Sequence, residues 1–221
     1  MNSNKNEKLF TKGEEIFNAV THIVGGVFGV IVLIVGIVCA AIYNDVYAIV
    51  SMTIYGLCMI LAYTASSIYH FLRQNKAKRL FRIFDHCTIF LLIAGTYTPY
   101  CLVLLRGVGP WGWTLFGILW GLAILGIISK SIDMHNKTVR VLGMGTYLVM
   151  GWCAVIAIVP IWEVFHPVGF WLTVAGGIVY TIGAIFYAFG RKVKYIHSVW
   201  HLFVLCGSIL HFFAILFYVI L

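Results

Sequence analysis

The sequence predicts an all-α fold, a bundle of seven transmembrane helices, and two observations carry that expectation. The 221-residue chain is 62% apolar and only 10% charged, whereas a soluble domain holds about a quarter charged residues. Apolar runs long enough to cross a bilayer, which takes roughly 20 residues per helix, recur at 19–41, 47–72, 82–105, 111–129, 139–160, 168–189 and 196–220. The connections are short, so residues 19–221 read as one transmembrane domain preceded by a polar segment, 1–18.

Charge sets the expected orientation. Lys5, Lys8 and Lys12 precede the first run, and Arg73, Lys76, Lys78, Arg79 and Arg82 surround the second connection. Lys130, Lys137 and Arg140 flank the fourth connection, and Arg191, Lys192 and Lys194 the sixth. Only Arg106 falls in an alternate connection. Basic connections face the cytoplasm, which puts the N-terminus inside and the C-terminus outside. Tyr43, Tyr47, Trp111, Trp113, Trp162 and Trp171 fit an aromatic belt at the outer boundary. Orientation accounts for the net charge of +8, with attraction to anionic headgroups a secondary effect; nucleic acid is not an expected partner. The first run is too long for a signal-peptide core and reads as an uncleaved span.

Within the runs, small residues and prolines mark how the helices meet. Gly25, Gly26 and Gly29 in the first run, and Gly176 and Gly177 in the sixth, permit close helix approach. Pro99 is expected to kink the third helix, with Thr96 and Thr98 placed to satisfy the freed backbone groups. Pro110, Pro160 and Pro167 punctuate outer ends. Cysteines 39, 58, 87, 101, 153 and 206 are scattered without a metal-binding spacing and read as small hydrophobes.

The polar residues inside the runs are the informative ones, because ionisable groups near hydrocarbon are costly. His70 lies three residues before Arg73, Asp85 three after Arg82, and His197 three after Lys194. Each therefore sits about 5 Å, roughly one helical turn, inside the basic boundary; His201 is one turn further in. His197 and His201 in H-S-V-W-H share one helix face, a spacing that chelates metal in HExxH helices, although that motif's glutamate is absent. Ser66 and His70 in S-S-I-Y-H repeat the spacing. A lone membrane histidine is ordinarily a hydrogen bond between helices. Matched depth across three histidines and an acid favours a metal site instead. Three imidazoles suit zinc with a fourth position open; Asp85 could hold or deprotonate water there, and Ser66 could orient it or contact an oxyanion.

Other polar positions have plainer readings. Glu15, Asn18 and His22 share a face at the start of the first run, spaced to bond neighbouring helices or to support the metal ligands. His86 points about 100° away from Asp85 and is not expected to bind the same ion. His211 lies about 15 Å beyond His201, too deep for the cluster. His135 and His166 fall in connections and are expected to be solvated.

Five elements together carry a resemblance: E14-E15-I-F-N18-A-V-T-H22, S66-S-I-Y-H70, F84-D85-H86, G95-T-Y-T-P99 and H197-S-V-W-H201. In this set the chain resembles the hemolysin III branch of the progestin and adiponectin receptor family, within a superfamily that includes the alkaline ceramidases. The resemblance implies seven spans, zinc bound by His70, His197 and His201, Asp85 engaging water at the metal, and Ser66 completing the site. The function that follows is a zinc-dependent hydrolase of a lipid amide or ester in a bacterial inner membrane, with membrane lipids as partners and substrate. Asp85 and Ser66 are then its catalytic residues. One alternative is a sensor of lipid or membrane state whose zinc is structural. Another, implied by the family name, is a membrane-disrupting protein. The receptor members carry longer N-terminal regions than the 18 residues found here, which argues against reception of a folded extracellular protein.

Overall fold

A computed structural model describes residues 10–43, 45–134, 136–189 and 193–221 and contains seven helical segments of membrane length. Helix α1, Lys12–Ile42, starts at a capping box. Thr11 Oγ1 accepts from Glu14 N at 3.3 Å, and the Glu14 carboxylate accepts from Thr11 N at 2.8 Å. This cap starts the helix ahead of the apolar run at 19–41, so Glu15 and Asn18 are helical and hold a fixed face.

Helix α2, Val46–Phe71, is capped by Asp45, which accepts from Tyr47 N at 2.9 Å. Helix α3, Lys76–Pro99, is capped by Asn75, which accepts from Lys78 N at 2.8 Å. At Pro99, which has no N–H to continue the ladder, α-helical bonding gives way to a π turn at Tyr100–Leu104, closed by Leu105 N to Tyr100 O at 2.9 Å. Thr96 and Thr98 donate to the carbonyls of Leu92 and Ala94 at 2.7 and 2.8 Å, not to that of Gly95 opposite the proline. The π turn, rather than the threonines, absorbs the break. Thr98 instead accepts from Trp120 Nε1 at 3.2 Å, tying α3 to α4, Trp111–Asp133.

The fifth span differs from the single helix expected over 139–160. Helix α5, Lys137–Gly151, ends early, a 3₁₀ turn covers Cys153–Ala157, and a short helix α6, Ile158–Val164, completes the crossing. Gly151 is a weak helix former, and Tyr97 Oη donates to its carbonyl at 2.6 Å. Side chains thus take over bonding that the helix gives up. Pro160 falls in the first turn of α6, where its missing N–H is tolerated. Helices α7, Pro167–Phe189, and α8, Ile196–Ile215, follow, the latter running into a second π turn at Leu216–Ile220.

Helix α3 is the central element: 67% of its most apolar stretch is buried, against 17% for α7. It packs on α2, α4 and α5, while α1 and α7 both pack on α8. Tyr55, Tyr63 and Phe90 fill the interior, whereas Ile16, Val20, Val27 and Ile34 of α1 face outward. Long apolar helices with apolar outer faces define a membrane protein. A Cβ on Gly25 would lie 2.4 Å from the Tyr63 ring, so α1 and α2 approach closely only because that residue is glycine.

Two contacts bring three segment ends together. Tyr195 N donates to Glu14 Oε1 at 2.8 Å, and Lys78 Nζ donates to Glu15 Oε1 at 2.6 Å. The start of α1, the α2–α3 turn and the start of α8 thus share one end, the basic one. Arg106 marks the opposite end, 3.6 Å from Asp45 and over the Tyr47 ring. His135, Lys5, Lys8, Arg191 and Lys192 lie outside the described residues.

Candidate metal centre

His70 sits in the last turn of α2, and His197 and His201 occupy successive turns at the start of α8. One ring nitrogen from each lies within 4.8 Å of the others. The i,i+4 pair brings its two Nε2 atoms to 3.1 Å. His70 and His201 are 2% and 1% exposed, and His70 Nε2 has no hydrogen-bond partner. Leaving such an atom unsatisfied costs about 1–3 kcal/mol. Nitrogens bound tetrahedrally at about 2.0–2.1 Å stand roughly 3.3 Å apart, close to the separation the α8 pair already shows. The three residues fit a metal ion.

Neighbouring groups aim His70. Its Nδ1 donates to Glu15 Oε2 at 2.7 Å, which leaves the Nε2 lone pair for a metal. The other Glu15 oxygen accepts from Lys78 Nζ, which also donates to Leu72 O at 3.0 Å and stands over the Tyr69 ring. A chain of charged groups therefore runs from α3 through α1 to His70 on α2. Asn18 Oδ1 accepts from Ser198 Oγ at 2.6 Å, with its amide 3.5 Å from His70 Nδ1. His22 stacks on His201 with centroids 3.7 Å apart and meets Tyr63 edge-on. Both His22 ring nitrogens are buried without partners.

Above the histidines, a cavity of about 130 Å³ opens between α2, α3, α5, α7 and α8. Ser66, Asp85, His22, His197 and His201 line its basic end; Thr96, Trp152 and His211 lie further along it. Ser66, one turn before His70, is buried with its hydroxyl unpartnered. Asp85 is on the wall, its Oδ2 3.6 Å from His86 Nδ1, and is not among the converging ligand atoms. A carboxylate so placed can accept a proton inside the cavity without ligating.

The remaining histidines have other work. His86 Nδ1 bonds the Arg82 carbonyl at 2.8 Å and Nε2 the Tyr187 hydroxyl at 3.2 Å, so it links α3 to α7. His211 stacks on Tyr180, apart from the triad. His166 is exposed and accepts from Val168 N at 3.3 Å. Two neighbours escaped the sequence reading. Lys78 read only as a boundary charge, yet it is 4% exposed and holds Glu15. Phe10 stacks on His197 with centroids 4.8 Å apart and closes the cluster from the basic end; a single aromatic residue in a polar segment carries no periodic signal.

Fold and site together define a seven-helix membrane protein with a buried histidine cluster, able to hold a metal ion, at one end of an apolar cavity. The chain belongs to the Haemolysin-III related family, whose profile matches residues 10–212. It is 45% identical to Hemolysin-3 of Bacillus cereus over 207 residues, covering 94% of this chain and 92% of the relative. It is 42% identical to the Hemolysin-3 homolog of Bacillus subtilis (strain 168), over 95% and 96% of the two chains. The human Monocyte to macrophage differentiation factor is 24% identical over 78% of this chain and 71% of its own.

Proposed function

We propose that the protein is a zinc-dependent hydrolase of a lipid amide or ester, oriented with the basic end in the cytoplasm of a bacterial inner membrane. The observation that carries this reading is the unpartnered His70 Nε2, buried beside His197 and His201 where the apolar cavity also presents Ser66 and Asp85. Zinc held by the three histidines would supply Lewis acidity and acidify water towards pKa about 7. Asp85 accepts the proton of the attacking water and later returns it to the leaving group. The Ser66 hydroxyl donates to the oxygen on which charge develops. Glu15 keeps the His70 ring in the tautomer and direction that its role requires. The cavity walls, including Leu92, Ile93 and Val204, take the acyl chain of a membrane lipid and keep bulk water out.

The test combines metal content with turnover of fluorescent lipid amides and esters by the purified chain. Asp85→Asn is expected to keep its zinc and lose nearly all turnover. Zinc in the wild type with no turnover across the panel would reduce the centre to a structural clamp between α2 and α8, the sensor reading. The name Hemolysin-3 carried by the two Bacillus relatives favours a second activity, disruption of membranes. It predicts dye release from liposomes that persists when His70, His197 and His201 are each replaced.

A further inference from the structure

We propose a second site, formed by α3, α4 and α5 at the basic end, that binds a phosphate group, supplied by an anionic phospholipid headgroup or by free phosphate. Lys130, in the last turn of α4, is 3% exposed. Among the described residues no carboxylate oxygen lies within ion-pair distance of its ammonium. The nearest acid in sequence, Asp133, is exposed and accepts from Asn136 N at 3.2 Å in the turn to α5.

The lysine is housed deliberately. It lies across α5 at Gly143, where a Cβ would stand 2.4 Å from Lys130 Cε and 2.9 Å from Nζ. Helix α3 closes the third side, with Cys87 Sγ 3.8 Å from both the Ser131 hydroxyl and the Ile127 carbonyl of α4. The flanking helices set two basic side chains against Lys130, Arg82 from α3 and Arg140 from α5, beside the Cys87 thiol. The first turn of α5 holds Lys137 and Arg140 and no acid, although the N-terminal end of a helix dipole is itself positive and favours anions.

The stem of Lys130 is buried, and its ammonium is held among like charges, which is unfavourable without a counter-ion. A phosphate would offset that cost with charge-assisted hydrogen bonds. Its placement suits a headgroup, because basic groups beside the membrane surface attract anionic lipid. The site is separate from the histidine cluster, and its occupancy does not depend on hydrolysis.

The experiment uses the full chain in a neutral detergent. Thermal stability and binding are followed with phosphatidylglycerol, phosphatidylcholine and inorganic phosphate added in turn. Phosphatidylglycerol is expected to raise Tm, phosphatidylcholine to leave it unchanged, and added salt to weaken the effect. Lys130→Met is expected to bind about tenfold more weakly, as loss of a charge-assisted bond implies, and Arg140→Gln also to bind more weakly. A matching rise with inorganic phosphate would support the site and assign it to the free anion. Stabilisation undiminished in both variants, or absent from the wild type with every additive, would overturn the proposal. If Lys130→Met does not fold, Arg140→Gln and Gly143→Ala, which displaces the lysine, decide it in the same way.

Discussion

Glu15 on α1 accepts from the ring of His70 on α2 at 2.7 Å, while its other oxygen accepts from Lys78 on α3 at 2.6 Å. One carboxylate thus couples the packing of three helices to the direction of one imidazole. Glu15→Gln keeps the shape and removes the charge. Zinc affinity, measured by competition with a chelator, is expected to fall roughly 10–100-fold, as for other residues that orient metal-bound histidines. Unchanged affinity would make Glu15 a helix tie and nothing more.

Among the described residues, His197 contributes one of the three converging nitrogens. His197→Ala is expected to abolish stoichiometric zinc, measured by elemental mass spectrometry, while circular dichroism shows the helices intact. Retention of one zinc per chain would remove this residue from the ligand set.

Metal removal has a thermodynamic signature of its own. A ligand present at a thousandfold excess over Kd stabilises the folded state by about 4 kcal/mol. Chelation should therefore lower Tm in the wild type and leave the Tm of His197→Ala where it was. Equal shifts in both would point to chelator effects away from the centre.

Phe10 covers the ring of His197 and tilts against His70 at 5.7 Å. Phe10→Ala is expected to speed the stripping of bound zinc by chelator without changing how much zinc the protein holds. The stopped-flow rate of zinc loss reads this directly, and an unchanged rate would show that metal exchange takes another route.

Tyr63 is buried against Gly25, with its hydroxyl 2.8 Å from Ser208 Oγ. Anchored at both ends, the ring cannot yield to an added methyl group. Gly25→Ala is expected to cost about 1–3 kcal/mol, the usual penalty of overpacking, read as a lower Tm. Wild-type stability in this variant would mean that α1 and α2 slide apart freely.

Much of this architecture was legible in the residues. Seven apolar runs, basic connections at one end and the shared depth of His70, His197 and His201 are properties of the chain read in one dimension. The helix break at Gly151 was not legible, because it depends on Tyr97 reaching that carbonyl from α3. The partner of His70 was hidden for a similar reason. Glu15 could be placed on a face of α1, but which neighbour the face meets is set by how α1 leans on α2, and that lean follows from glycine contacts such as Gly25 with Tyr63.

Hydropathy and charge act locally, through the transfer of each segment between water and lipid. For that reason the sequence alone determined the number of spans, the basic end and the candidate ligands with their common depth. Azimuth and inter-helix distance arise only when side chains pack. The tertiary structure accordingly decided that Glu15 holds His70, that His22 stacks on His201, that Asp85 faces the cavity outside the ligand cluster, and that Lys130 is buried with no carboxylate of the described residues beside it.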